Sequence, residues 1–154
     1  MSHLKRTLNV FLFFFVLLFY YPLDAQIVDD FSDGNFTADP VWQGSTGDFI
    51  VNGAGQLQLN APVEGTSTLS VQGPIPDSAV WLLEVRMDFD PSSSNLLRIY
   101  LQSDRADLLS GNGYYIEIGE SGAADKPRLF RQDSTVRVGL GDGTIGLVSG
   151  AKVD

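Results

Sequence analysis

The chain has 154 residues, no cysteine, a single histidine and a formal net charge of −9. That length suits one domain. The missing cysteines exclude a disulfide scaffold and a thiolate zinc site, and the acidity argues against a surface that attracts nucleic acid or anionic lipid.

Met1 to Ala25 reads as a secretory signal peptide. Lys5 and Arg6 form a positive start, Val10 to Tyr21 is unbroken apolar, and Pro22 ends the run. Ala25 is a small residue at the −1 position, leaving Gln26 as the new N-terminus. The alternative is an anchor that stays in the membrane, but a stable span wants about 20 apolar residues and this run is shorter. The expected location is therefore secreted or cell-surface, with no membrane contact after cleavage. Losing Lys5, Arg6 and Asp24 makes the remainder one charge more acidic. His3 leaves with the leader, so Ser-His-Asp catalysis is excluded.

From Gln26 onward no stretch keeps helical periodicity over three turns. Period-two alternation recurs instead, punctuated by Gly, Asn, Asp, Ser and Pro, as in antiparallel sandwiches and barrels. Ile27 to Phe31 opens the domain. Phe49–Val51 and Gln56–Asn60 flank Asn52-Gly53-Ala54-Gly55, a glycine-rich hairpin turn. Thr68 to Gln72 places Leu69 and Val71 together. The clearest alternation runs from Ala79 to Phe89, with Trp81, Leu83, Val85, Met87 and Phe89 on an inward face. Asp90-Pro91-Ser92-Ser93-Ser94 has turn chemistry. The spacing therefore predicts an antiparallel hairpin with Asn95–Ser103, whose Leu97, Ile99 and Leu101 point inward and whose Arg98, Tyr100 and Gln102 point outward. Gly113 to Ile118 sets Tyr114, Ile116 and Ile118 on one face and Tyr115 on the other. Arg128–Gln132 and Thr135–Leu140 flank a tight turn at Asp133-Ser134. The sequence ends soon after the apolar run Ile145–Val148, with no closing turn, so the domain over Gln26–Asp154 is expected to be incomplete.

Asp29-Asp30-Phe31-Ser32-Asp33-Gly34-Asn35-Phe36, then Pro40-Val41-Trp42, Gly47-Asp48-Phe49-Ile50-Val51 and Leu57-Gln58-Leu59-Asn60 form a recognisable series. Tyr114 to Glu120, followed by Leu129-Phe130-Arg131-Gln132, extends it. Together they resemble the N-terminal concanavalin A-like, laminin-G-like domain of Bacteroidetes-type secreted surface proteins, some of which carry lamin-tail or gliding-motility C-terminal modules. The resemblance implies an all-β, two-sheet antiparallel jelly-roll sandwich, truncated here at the C-terminus. Fold alone does not give activity.

This fold class includes glycoside hydrolases, so paired carboxylates matter. The nearest candidate is Glu117-Ile118-Gly119-Glu120, but residues three apart on a strand point to opposite faces unless a bulge intervenes. Asp88 and Asp90 share a parity but sit at a strand end, where solvated acids are ordinary. No catalytic residue is assigned. Asp29, Asp30 and Asp33 are oxygen-rich enough to suggest a structural calcium ion, against the alternative that Asp33-Gly34 is simply a turn; no other cofactor is expected. Tyr100 and Tyr115, on outward parities, are the candidates for stacking on sugar rings. Asn35-Phe36-Thr37 matches a glycosylation sequon, which means little if the source is bacterial, as the resemblance implies. The expected function is a non-catalytic extracellular module for adhesion or glycan binding, its partner a glycan or a surface protein. The alternative is a fragment of a glycan-active hydrolase of the same fold.

Overall fold

A computed structural model describes residues 27–75, 77–120 and 126–144. The leader and the apolar run Ile145–Val148 with the end at Asp154 lie outside the described residues. Those that are described form an all-β, antiparallel structure. In chain order the strands are β1 Trp42–Gly44, β2 Phe49–Val51, β3 Leu57–Leu59, β4 Leu69–Val71, β5 Leu97–Ser103, β6 Gly113–Ile118, β7 Arg128–Asp133 and β8 Val136–Asp142, with one 3₁₀ turn at Thr46–Asp48. Two short ladders, β1 with β4 and β2 with β3, precede a four-stranded meander in the order β5-β6-β7-β8.

Local chemistry explains the hairpins. Between β2 and β3 the Asn52 carboxamide oxygen accepts from the Ala54 and Gln56 amides, at 2.9 and 3.1 Å. This is the side-chain turn that asparagine favours, and Gly55 supplies the left-handed residue at φ 74°. Between β7 and β8, Asp133 pairs with Val136, and Ser134 takes φ 57° in the two-residue turn. Both hairpins fall where turn chemistry places them.

The expected strand over Ala79–Phe89 does not form, and the partner of β5 is β6. Ser92 and Asn95 do exchange hydrogen bonds, Ser92 N–H to Asn95 O at 2.8 Å and Asn95 N–H to Ser92 O at 3.1 Å. The ladder stops there, next to Pro91, which has no N–H to donate. Of the preceding chain, Met87 takes part in a β-bridge, and Val85 and Met87 pack with Leu97, Ile116 and Ile118. Trp81 and Leu83 stay 42% and 44% exposed, and Leu82 is 99% exposed.

The meander has two unlike faces. Register pairs Leu97 with Ile118 and Ile99 with Ile116, and Ile116 with Leu129. This is the inward set anticipated for β5 and β6, except that a register shift after Tyr100 takes Leu101 out of the ladder. Ile118 is buried on this face, whereas Tyr114, Val136, Val138 and Leu140 remain exposed. The opposite face carries the most buried side chain of the described residues, Tyr115, at 1% exposure.

Candidate functional site

Three rows cross the polar face of the meander. Register aligns Arg98, Glu117, Arg128 and Asp142 across β5, β6, β7 and β8, a row of alternating charge. One rung along it aligns Tyr100, Tyr115, Phe130 and Gly139, an aromatic row that ends in a glycine. The next rung pairs Gln132 with Arg137. Side chains directly opposite on antiparallel strands lie within contact distance, so the order of residues on each strand builds the rows.

The aromatic row is stacked. Ring centroids of Tyr100 and Tyr115 lie 4.9 Å apart, and those of Tyr115 and Phe130 lie 5.3 Å apart at 16°. Arginines roof it: Arg98 sits 5.5 Å from the Tyr115 centroid, and Arg128 and Arg137 sit 5.1 and 5.5 Å from that of Phe130. Guanidinium planes suit aromatic faces. These long side chains bury the rings while keeping their charged heads near water. Tyr115 is therefore core, contrary to the expectation of an exposed stacking platform. Tyr100 is half-buried, and its hydroxyl donates to Gln132 Oε1 at 2.9 Å. Burial pushes the Tyr100 phenol up, against the pull of Arg98.

Glu117 anchors the charge row. Its Oε2 accepts from Arg98 Nε at 2.8 Å and from Arg137 Nη1 at 3.0 Å, and its side chain is only 5% exposed. Arg137 reaches it from β8, its guanidinium passing over the Phe130 ring. Burial disfavours the charged guanidinium of Arg98, but the hydrogen bond and charge of Glu117 outweigh that and raise its pKa. Glu120 comes to the same cluster, its Oε2 3.6 Å from Arg128 Nη1. The turn that brings it there is Gly119, at φ 125°. A Cβ at that position would lie 2.7 Å from Leu96 Cβ and 2.8 Å from Ser92 O, so only glycine fits. The parity that should separate Glu117 from Glu120 is thus broken just past the end of β6. Glu120 Oε1 is buried without a hydrogen-bond partner.

The rim is tied down. Gln132 Nε2 donates to the carbonyls of Leu108 and Gly111, each at 2.8 Å. The Asp104 carboxylate accepts from Asn112 N and Nδ2 at 2.6 and 2.7 Å, which lowers its pKa, the backbone bond contributing most. Asn112 Oδ1 in turn accepts from Ser134 N at 2.9 Å. The β5–β6 loop and the β7–β8 turn are therefore held together at one end of the face.

At the other end, Lys126 Nζ lies 2.6 Å from Asp142 Oδ2 and Arg128 Nε lies 3.6 Å from Asp142 Oδ1. The lysine's hydrogen bond is the main cause of a lowered Asp142 pKa.

Asp29, Asp30 and Asp33 are not brought together as a calcium site. Asp29 accepts from the Phe31 amide at 2.9 Å and from Trp42 Nε1 at 2.8 Å. Asp30 accepts from the Ser32 amide at 3.0 Å, the principal cause of its lowered pKa. Asp33 binds the Asn35 amide at 3.0 Å. Each carboxylate closes its own turn, and among the described residues no three His, Cys, Asp or Glu side chains are gathered as metal ligands.

No family model matches the chain, and no curated protein or solved structure does. The charge row was not read from the sequence. Its signal is present there, since Arg98/Tyr100, Tyr115/Glu117 and Arg128/Phe130 are charge-and-aromatic pairs two apart on neighbouring strands, but it emerges only when the strands are set in hairpin register.

Proposed function

We propose that the chain is a non-catalytic extracellular module, with the concanavalin A-like jelly-roll architecture its sequence resembles, and that it binds glycan on the polar face of the β5–β8 sheet. The observation that carries this reading is the alternating row Arg98, Glu117, Arg128, Asp142 laid over a stacked aromatic row. Charged donors and acceptors side by side match sugar hydroxyls, which both donate and accept. The opposite, apolar face of the sheet suits the inner surface of a two-layer sandwich. The extracellular assignment comes from the leader.

The Glu117 carboxylate, held by two guanidiniums, serves this reading as an anchor for Arg98 and Arg137. Affinity electrophoresis of the secreted chain through gels containing soluble polysaccharides tests it. Retardation by at least one polysaccharide is expected, weakened several-fold by Arg128→Ala and without release of reducing ends. Migration unaffected by every polysaccharide would overturn glycan binding, and release of reducing ends would replace the module with a hydrolase.

A further inference from the structure

We propose that sugar is contacted at the β7–β8 register shift, and that the ligand there is an uncharged polysaccharide. The inference rests on the glycan-binding reading above and assigns its place and ligand class.

The register steps from Leu129–Gly141 to Phe130–Gly139, leaving Leu140 unpaired. A bulge of this kind bends the strand and opens the surface beside it. A depression of about 320 Å³ lies there, lined by residues that include Arg128, Phe130, Gly139, Gly141 and Asp142. That volume is at the small end of the roughly 300–1,000 Å³ typical of ligand sites. Gly139, on the same face as Arg128, Phe130 and Asp142, leaves it open: a Cβ there would meet only Phe130 Cε1, at 3.8 Å.

The polar lining is a matched pair. Arg128 has its carboxylate neighbours Glu120 and Asp142 at 3.6 Å, beyond hydrogen-bond range, so its fork of N–H donors is held by charge and left to donate elsewhere. The Asp142 side chain is half exposed and keeps acceptor capacity beyond its contact with Lys126. A donor fork next to a carboxylate fits two adjacent hydroxyls.

The same pairing decides the ligand's charge. Arg98, Arg128, Arg137 and Lys126 face Glu117, Glu120 and Asp142, so the ion pairs leave the face only one positive charge in excess. The chain as a whole carries −9. A polyanion would find little local attraction and an unfavourable long-range field.

The experiment measures retardation of the secreted chain in gels containing dextran, laminarin or xyloglucan against alginate or dextran sulfate, at low and high salt, for the native protein and Gly139→Val. A neutral polysaccharide should retard the native protein equally at both salt concentrations, and the anionic ones should not. Gly139→Val, which puts a strand-favouring side chain into the depression, should keep the native melting temperature and lose at least tenfold in affinity. Asp142→Asn serves as the second variant should Gly139→Val melt early, and it should lose several-fold. Native affinity in a folded Gly139→Val, or in Asp142→Asn, would overturn the location while leaving glycan binding intact. Binding of the anionic polysaccharides alone would overturn the ligand class while leaving glycan binding intact. Binding of none would overturn the reading on which the inference rests.

Discussion

β6 and the segment Ala79–Phe89 carry the same sequence signal and have opposite fates. Both alternate at period two, and the longer segment alternates more regularly. β6 is nevertheless paired with β5 on one side and β7 on the other. Ala79–Phe89 joins no named strand and leaves Trp81, Leu83 and Leu82 exposed. The difference lies in what each meets. β6 is reached from both sides by chain close in sequence, and its outward side chains find partners: Tyr115 between Tyr100 and Phe130, Glu117 between Arg98 and Arg137. Ala79–Phe89 is followed by Asp90-Pro91 and a two-residue turn that closes one rung. Alternation states which side chains could share a face; it does not supply the backbone partner that makes a strand.

The contrast is sharpest in core truncation. Phe130→Ala removes a ring stacked on Tyr115 and roofed by two arginines, and it should cost about 3–5 kcal/mol. Leu83→Ala, at a position the alternation marks as inward, should cost less than about 1 kcal/mol because the residue is already 44% exposed. Denaturant midpoints at constant slope measure both. Equal costs would restore Ala79–Phe89 as a buried strand and remove the distinction.

Between these extremes lies the buried carboxylate. Glu117→Gln keeps the shape of the side chain but withdraws the charge that holds Arg98 and Arg137. Hydrogen bonds to charged groups contribute roughly 1.5–3 kcal/mol. The loss should fall near the lower end of that range, because both guanidiniums retain access to water. The exposed pair Arg86–Asp88, at 3.0 Å outside the named strands, is the control. Asp88→Asn should change stability by well under about 1 kcal/mol.

What was legible in the sequence follows the range of the forces involved. The hairpins at Asn52-Gly53 and Asp133-Ser134 were readable because a turn is settled by four or five neighbouring residues. The span of β6 was readable because both its ends carry breakers. Its inward side, Ile116 and Ile118, packs against Val85, Met87 and Leu97 as the hydrophobicity suggests, but period two cannot say that the other parity is covered as well. Tyr115 is buried because arginines from β5, β7 and β8 close over its row. That depends on register between strands up to forty residues apart. Glu120 escaped for a similar reason: its parity is reversed by the single backbone angle at Gly119. The Asp29–Asp33 cluster illustrates the limit of composition, for three nearby carboxylates are as well suited to closing three turns as to holding one ion.

The smallest expected effect concerns pH, and it separates the charge row from an ordinary solvated surface. Asp142 is held below the usual aspartate value, first by its hydrogen bond with Lys126; desolvation opposes this, and the charges of Lys126 and Arg128 add to the lowering. A carboxylate whose folded pKa is depressed contributes stability that is fully present above its unfolded value, near 3.9. That contribution is lost as the pH falls through the lower, folded value. The acceptor at the β7–β8 depression therefore stays ionised throughout the mildly acidic range, and the described residues include no histidine to titrate above it. Glycan retardation should be flat from pH 7.5 down to about 5 and should weaken only below about 4. Asp142→Asn, with nothing to protonate at that position, should show a lower plateau and a smaller acid-side loss. A native profile that falls with a midpoint near pH 6 would mean that a group other than Asp142 controls binding.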